Sequence, residues 1–262
     1  MKIILWTPNY NEASGGVVVL HKLCHLLRQR GEDAYCTSDI RPERFDCPRI
    51  YQKDIDPTND VVIYPEVYDG NPAGVKKVVR WLLNTPGVMG GSGMFAETDY
   101  VYHFSPMFWD ERSRGQLTVF ELFEDLFCPP TEPVEREGAL FAIHKGNINP
   151  RRPCTADAVG IGTATPNKWL LFQKAEVFYS YDTATFMSIQ AAMCGCESIV
   201  LPYGDYQLWR QQPNYKYGIA WGLEQREQKK TELDLVTPYL QLLAKDTDVM
   251  IDKFLFDIKN WR

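Results

Sequence analysis

An α/β protein made of two Rossmann-like halves is what this sequence predicts, on three observations. Short β-rich runs alternate with patterns of helical period, which implies parallel sheets. A strand–loop–helix unit carrying the pair Gly15-Gly16 opens the chain. A second succession of strands starts near Glu132, beyond the break Cys128-Pro129-Pro130. At 262 residues there is chain enough for two small domains, each with a core. The expected division is 1–131 and 132–262.

In the first half, Lys2–Thr7 is a short β-rich run ended by Pro8. The loop Asn9 to Gly16 leads into a helix pattern from about Val17 to Arg30, with Leu20, Leu23, Cys24 and Leu27 on one face and Gly31 as its stop. Asp33–Thr37 reads as a second strand, and Val61–Pro65 is the clearest strand nearby. Gly74–Leu83 reads as a helix, closed by Asn84-Thr85-Pro86-Gly87. Asp99–Ser105 and Leu117–Leu122 are two further strand candidates. Lacking Cβ atoms, Gly15 and Gly16 let the backbone approach a ligand, and the helix start behind them favours anions. The same pair also serves as an ordinary tight turn. It does not match Gly-x-Gly-x-x-Gly, so a nicotinamide-dinucleotide site is not indicated.

In the second half, Ala139–His144 is a strand candidate followed by Lys145-Gly146-Asn147. Lys145 at a strand's carboxyl end suits a phosphate as a point charge, or is simply a solvated loop lysine. Ala158–Ile161 and Glu176–Tyr179 read as strands, with a helix from about Asn167 between them. Asp182 then falls at the turn before a short helix, with Gln190 two turns along it, Gly195 as its stop and Ser198–Leu201 as the next strand. Tyr217–Trp221 is a last strand, and Glu232–Trp261 is mostly helix, broken near Pro238. Phosphorylated and hydroxylated small molecules bind where such strands end, at the mouth of an α/β crevice.

Composition excludes several classes. Apolar content of 45% and charged content of 24% are ordinary for a soluble globular chain. A net charge of −6 and a pI near 5.3 argue against a broad nucleic-acid or anionic-membrane surface. No apolar run approaches the ~20 residues that span a bilayer, and the first residues read as a strand and not a signal peptide. Seven cysteines without framework spacing fit a reducing, cytoplasmic setting.

The segment Phe178–Pro202 resembles the donor-binding signature of retaining glycosyltransferases with the GT-B fold, particularly family 4. Two acidic residues separated by seven others, then Ala-Met, a Cys-Gly pair and a strand ending near Pro make up that pattern. Asp182 matches the first acidic position, and Gln190 stands where the family usually has Glu. Arg80-Trp81-Leu82-Leu83-Asn84, after Tyr64-Pro65-Glu66, resembles compact bacterial and large-virus enzymes related to rhamnosyltransferases. The resemblance implies two Rossmann-like domains facing a cleft, an acceptor-side first domain, a donor-side second domain, and a C-terminal helix packing back on the first. This chain is shorter than is common in the family. It also lacks an evident Arg before the phosphate-binding Lys, unless Arg151 or Arg152 serves.

Roles follow from the resemblance residue by residue. Asp182, after Tyr181 in the donor-side turn, would contact hydroxyls of the transferred sugar. Thr183, Ala184 and Thr185, at the helix start, would offer backbone amides to the diphosphate. Lys145 would neutralise the leaving group, and Gly15 and Gly16 would approach it. Gln190 would hold the ribose through an amide that both donates and accepts, without the charge that strengthens such bonds. Gly162 and Thr163, in Gly162-Thr163-Ala164-Thr165-Pro166, would hold the base. His103, ending its strand, would lie near the donor sugar or be structural. Glu66 and Asp69 would bind acceptor hydroxyls, act as a base, or sit in a solvated loop. Arg80 and Trp81 read as helix packing and surface charge.

Two metal readings fail on context. Asp54-Ile55-Asp56 matches Asp-x-Asp but does not end an apolar strand. His21 and His25 stand one turn apart without a third ligand or a Glu base. Cys194 and Cys196 look like packing residues. The expectation is therefore a retaining, metal-independent transferase with no cofactor. Its co-substrate would be a nucleotide-diphosphate sugar, UDP-hexose or UDP-pentose preferred, and its acceptor a glycan or glycoprotein hydroxyl, in a bacterial or virus-infected host cytoplasm. A nucleotide-sugar epimerase and a non-catalytic nucleotide-sugar binding module are the alternatives, and oligomeric state is left open.

Overall fold

The computed structural model describes residues 1–143, 157–183, 185–201, 203–204 and 206–261. Contacts divide the chain into two compact units, Met1–Glu121 with Ala244–Arg262, and Leu122–Leu243. Each unit is an α/β layer structure built on one parallel sheet.

The first unit holds β1 (Ile3–Leu5), α1 (Gly15–Gln29), β2 (Ala34–Cys36), β3 (Val61–Pro65), β4 (Lys77–Leu82), β5 (Tyr100–His103) and β6 (Ser113–Gln116). The strands pair in the order β2-β1-β3-β4-β5-β6, every pair parallel. Strands covered on both faces need continuous apolar sequence, and β1 and β3 are buried at every residue. α1 carries the chain from β1 to β2 and buries Leu20, Leu23, Cys24 and Leu27, the face the periodicity predicts. Gly31, at φ 78°, ends it.

The sequence reading of Gly74–Leu83 as a helix is wrong: Lys77–Leu82 is β4, a central strand. Its run Lys-Val-Val-Arg-Trp-Leu is buried at five of six positions, and a strand buried on both faces shows no alternation by which to recognise it. The fourth and fifth residues of β4, Arg80 and Trp81, are core residues. Trp81 Nε1 donates to Leu117 O at 2.9 Å. Arg80 Nε donates to Asp99 Oδ2 at 2.7 Å with the two side chains 2% and 5% exposed. Its other nitrogens donate to Tyr68 O at 3.0 Å and to Gly70 O, while Tyr64 and Phe95 rings each lie 5.1 Å from the guanidinium. The edge strand also differs: β6 is the polar Ser113–Gln116, and Leu117–Leu122 follows it outside the ladder.

The second unit holds β7 (Ala139–Ala142), β8 (Val159–Gly160), α2 (Lys168–Lys174), β9 (Val177–Ser180), α3 (Met187–Met193), β10 (Glu197–Val200), α4 (Gln207–Arg210), β11 (Ile219–Trp221) and α5 (Arg226–Lys230). The order is β11-β10-β9-β7-β8, again all parallel. Arg136 fastens two helix ends here, donating to Phe172 O at 2.9 Å, Ala175 O at 3.2 Å and Cys194 O at 2.6 Å. A cation there also meets the negative ends of both helices. α6 (Leu233–Lys259) is one continuous helix that contains Pro238 and is not broken by it. Pro238 stands only five residues past the helix start, so the single lost backbone bond leaves most of the helix intact. From Ala244 onward α6 belongs to the first unit, where Ile251, Phe254 and Ile258 are buried and Tyr102 donates its hydroxyl to Asp257 at 2.7 Å.

Both sheets place their first strand between the second and the third. Successive connections therefore leave the first strand in opposite directions, and a crevice opens at the carboxyl ends of β1 and β3 in one unit and of β7 and β9 in the other. Replacing Arg80 by Met leaves Asp99 buried without its partner. Arg80→Met should lower the unfolding free energy in urea by about 3–5 kcal/mol, and a loss under about 1 kcal/mol would mark the pair as dispensable.

Candidate functional site

At the second unit's crevice, the ladder runs one residue past β9, with Tyr181 N donating to Ala142 O at 2.9 Å. The Tyr181 ring stands edge-on to Phe141 and packs with Tyr179, Ile199 and Leu201, so its body belongs to the core. Asp182 leaves the sheet immediately afterwards and is 3% exposed. Ser180 shapes that exit: its Oγ donates to Asp182 O at 2.7 Å and accepts from Asp182 N at 3.2 Å. Next, Thr185 Oγ1 accepts from Met187 N at 3.3 Å, and Thr185 O accepts from the Tyr215 hydroxyl at 3.2 Å. Burial, and then the charge of Asp182, push the Tyr215 hydroxyl well above the usual phenol range.

The helix position differs from expectation. α3 begins at Met187, so Thr183 and Thr185 precede it instead of forming its first turn, and Ala184 lies outside the described residues. Thr183, Thr185 and Phe186 all come before the helix's first residue, with Phe186 as its cap. Gln190 is thus the fourth residue of α3, in its first turn and not two turns along. It is 7% exposed. Beyond β8, Gly162 N donates to Thr165 Oγ1 at 2.9 Å and Lys168 Nζ to Thr163 O at 2.9 Å, which closes that loop on itself. Lys145, Arg151 and Arg152 lie outside the described residues.

At the first unit's crevice, Gly15 and Gly16 are the first two residues of α1. A Cβ would meet nothing at Gly15 and only ordinary contact with Leu83 at Gly16, so packing within this unit does not demand glycine at either position. The first intrahelical bond is Val18 N to Ser14 O, which leaves the amides of Gly15, Gly16 and Val17 without helical acceptors. Glu66 follows β3 and is 3% exposed. Its Oε2 accepts from Leu83 N at 2.9 Å, tying the end of β3 to the end of β4. Gly91, at φ 75°, lies so close to Glu66 O that a Cβ would stand 2.1 Å away, which makes glycine obligatory there. Burial raises the Glu66 carboxyl above its ordinary 4.5, against the opposing pull of the Leu83, Glu66 and Asn84 amides.

His103 ends β5, and its Nδ1 lies 2.6 Å from Ser113 Oγ. Ser113 spends its one hydroxyl proton on Gly115 O at 3.2 Å, so His103 Nδ1–H is the donor and Nε2 the basic nitrogen. Burial lowers its pKa, keeping it neutral at neutral pH. Asp69 is exposed and accepts from both Ser92 N and Ser92 Oγ at 2.8 Å. Asp56 of the Asp-x-Asp match is occupied by Thr58 N and Asn59 in a turn. His21 Nδ1 meets Val17 O at 2.9 Å and His25 Nδ1 accepts from Asp46 N at 3.0 Å. Cys194 and Cys196 are buried, and burial pushes the Cys194 thiol up to about 12. Ser113 and Tyr215 were not singled out from sequence. Both act through partners set by the fold, and neither sits in a recognisable local pattern.

No family model and no curated protein matches this chain. Among solved structures, the β-glucosyltransferase of T4 phage aligns over 100% of this chain and 97% of its own, at 11% identity and TM-score 0.45. A sucrose-phosphate synthase from Thermosynechococcus elongatus aligns over 96% and 94%, at 12% identity and TM-score 0.45. No helix among the described residues is long and apolar enough to cross a membrane.

The raised Glu66 pKa has a signed consequence. Folding favours its protonated form, so its contribution to stability is complete below the unfolded pKa of about 4.5 and is lost as pH rises through the folded value. Glu66→Gln mimics the protonated carboxyl. The variant should gain thermal stability relative to the parent between pH 4 and pH 8, as followed by unfolding across that range; a difference that is flat or falls with pH contradicts the assignment.

Proposed function

We propose that this protein is a glycosyltransferase that moves a sugar from a nucleotide-diphosphate sugar to a hydroxyl of a glycan or glycoprotein acceptor. The observation carrying this reading is the pair at the second unit's crevice. Asp182 is held buried where β9 ends, and Gln190, 7% exposed, lies in the first turn of the next helix. The arrangement suits a sugar contact at Asp182 and a ribose contact at Gln190. It agrees with the resemblance of Phe178–Pro202 to the GT-B donor signature.

The finer reading is a UDP-hexose or UDP-pentose donor, retention of anomeric configuration and no metal in the chemistry. As the glycosidic bond breaks, negative charge grows on the leaving diphosphate, and fixed donors stabilise it there. Lys145 and the amides of Thr183, Ala184 and Thr185 take that role by the resemblance, with Gly162 and Thr163 toward the base. Retention in such enzymes is attributed to attack on the same face that the leaving phosphate vacates, so no protein nucleophile is assigned. In the first unit, the free amides at Gly15 and Gly16 suit an anion. Glu66, with its raised pKa, and His103, with a neutral basic Nε2, are the groups suited to accept a proton from an acceptor hydroxyl.

Incubation with a panel of nucleotide sugars, followed by NMR, tests the reading. Release of free nucleotide and retention of the donor's anomeric configuration in the product are expected. An isomerised donor means an epimerase, and binding without hydrolysis or transfer across the panel means a binding module. Asp182→Ala should cut transfer by about 10²-fold or more while leaving bare-nucleotide affinity within a few-fold. Gln190→Ala should instead weaken nucleotide binding by about 1–3 kcal/mol in calorimetry; unchanged affinity removes the ribose assignment.

A further inference from the structure

Every cysteine of the first unit converges on one place. Cys24 lies on the buried face of α1, Cys36 ends β2, and Cys47 lies in the segment between β2 and β3. Their three Sγ atoms all lie within 4.8 Å of one another, all three residues are buried, and none is in a disulfide. The segment bearing Cys47 is fastened on both sides. Cys47 Sγ donates to His21 O at 3.0 Å, Asp46 N donates to His25 Nδ1 at 3.0 Å, and Arg28 Nε meets Asp46 Oδ2 at 2.6 Å. On the β2 side, Cys36 N donates to Pro48 O at 2.9 Å and accepts from Ile50 N through its carbonyl at 3.0 Å. Backbone bonds and an ion pair therefore bring the sulfurs together without any covalent link among them.

We propose that Cys24, Cys36 and Cys47 bind one soft d10 metal ion as a three-thiolate site, separate from the transfer chemistry. Metal–thiolate bonds of ~2.3 Å around a trigonal ion set sulfurs about 4 Å apart. The observed cluster needs only a small contraction to reach that spacing. Thiolates select Cu(I) and Zn(II) over harder cations. Each thiol gives its proton to solvent as its sulfur–metal bond forms, so uptake of the ion releases protons. Among the described residues no His, Asp or Glu joins the three sulfurs as a fourth ligand. His21 and His25 instead help hold the Cys47 segment, His21 through its carbonyl oxygen and His25 through Nδ1.

The test uses the full chain, reduced with a non-chelating phosphine, and titrated separately with Cu(I) and Zn(II) against chromophoric chelators. One equivalent should bind for at least one of the two ions, with an upward shift in Tm. Mass spectrometry after alkylation should find Cys24, Cys36 and Cys47 protected by that ion, and Cys128, Cys194 and Cys196 unchanged by it. Cys47→Ser should weaken binding by more than the about 10–100-fold that loss of an outer-shell partner costs. If that variant does not fold, the alkylation pattern of the parent decides. Failure of both ions to bind, protection spread evenly over all cysteines, or equimolar binding retained by Cys47→Ser overturns the site. Transfer activity plays no part in the readout, so the outcome is independent of the proposed function.

Discussion

The guanidinium of Arg80 is the interaction on which the first unit depends. Between β3 and β5 the chain crosses the sheet twice without an α-helix. A parallel sheet ordinarily has such helices to cover its faces and to fix where the loops return. Here one planar cation on the central strand does part of that work. It meets the loop after β3 at Tyr68 and Gly70, the segment before β5 at Asp99, and the rings of Tyr64 and Phe95 on its faces. A point charge such as lysine has no equivalent fork of donors in fixed directions. Glu66, held by the Leu83 amide, lies at the end of the two strands that Arg80 fastens, so the crevice inherits its geometry from that pair.

The second unit solves the same problem with helices and a different arginine. Arg136 collects carbonyls from the ends of α2 and α3, the helix that carries Gln190. Asp182 and Gln190 are separated by a turn whose shape is set by Ser180, Thr185 and Tyr215. Two polar side chains are thus presented from a rigid strand end and a rigid helix start, the kind of support that precise ligand positioning requires.

The elements legible in the sequence are those whose burial is one-sided or whose ends carry a chemical signal. α1 shows its apolar stripe and its Gly31 stop; β3 ends at Pro65, and β9 ends ahead of a polar turn. β4 was illegible because a strand buried on both faces has no alternation, and a buried arginine looks like a surface residue until its partner is known. β6 was illegible for the opposite reason, since Ser-Arg-Gly-Gln gains its place from the ladder with β5 and not from hydrophobicity. In the site, Asp182 and Glu66 could be named because an acid directly after an apolar strand is a local signal. Tyr215 and Ser113 could not, and neither could the meeting of Cys24, Cys36 and Cys47, because those neighbours are far apart in the chain.

The last stretch of α6 gives the first unit an unusual order of assembly. Ile251, Phe254, Leu255 and Ile258, with Asp257 bonded to Tyr102, complete a core built otherwise mainly from residues before Leu122. During synthesis, the whole second unit leaves the ribosome before that core can close. The early strands must wait with apolar surface uncovered, which is the circumstance in which chains recruit chaperones or associate with one another. The second unit faces no such delay. For this protein, the half made first is the half finished last.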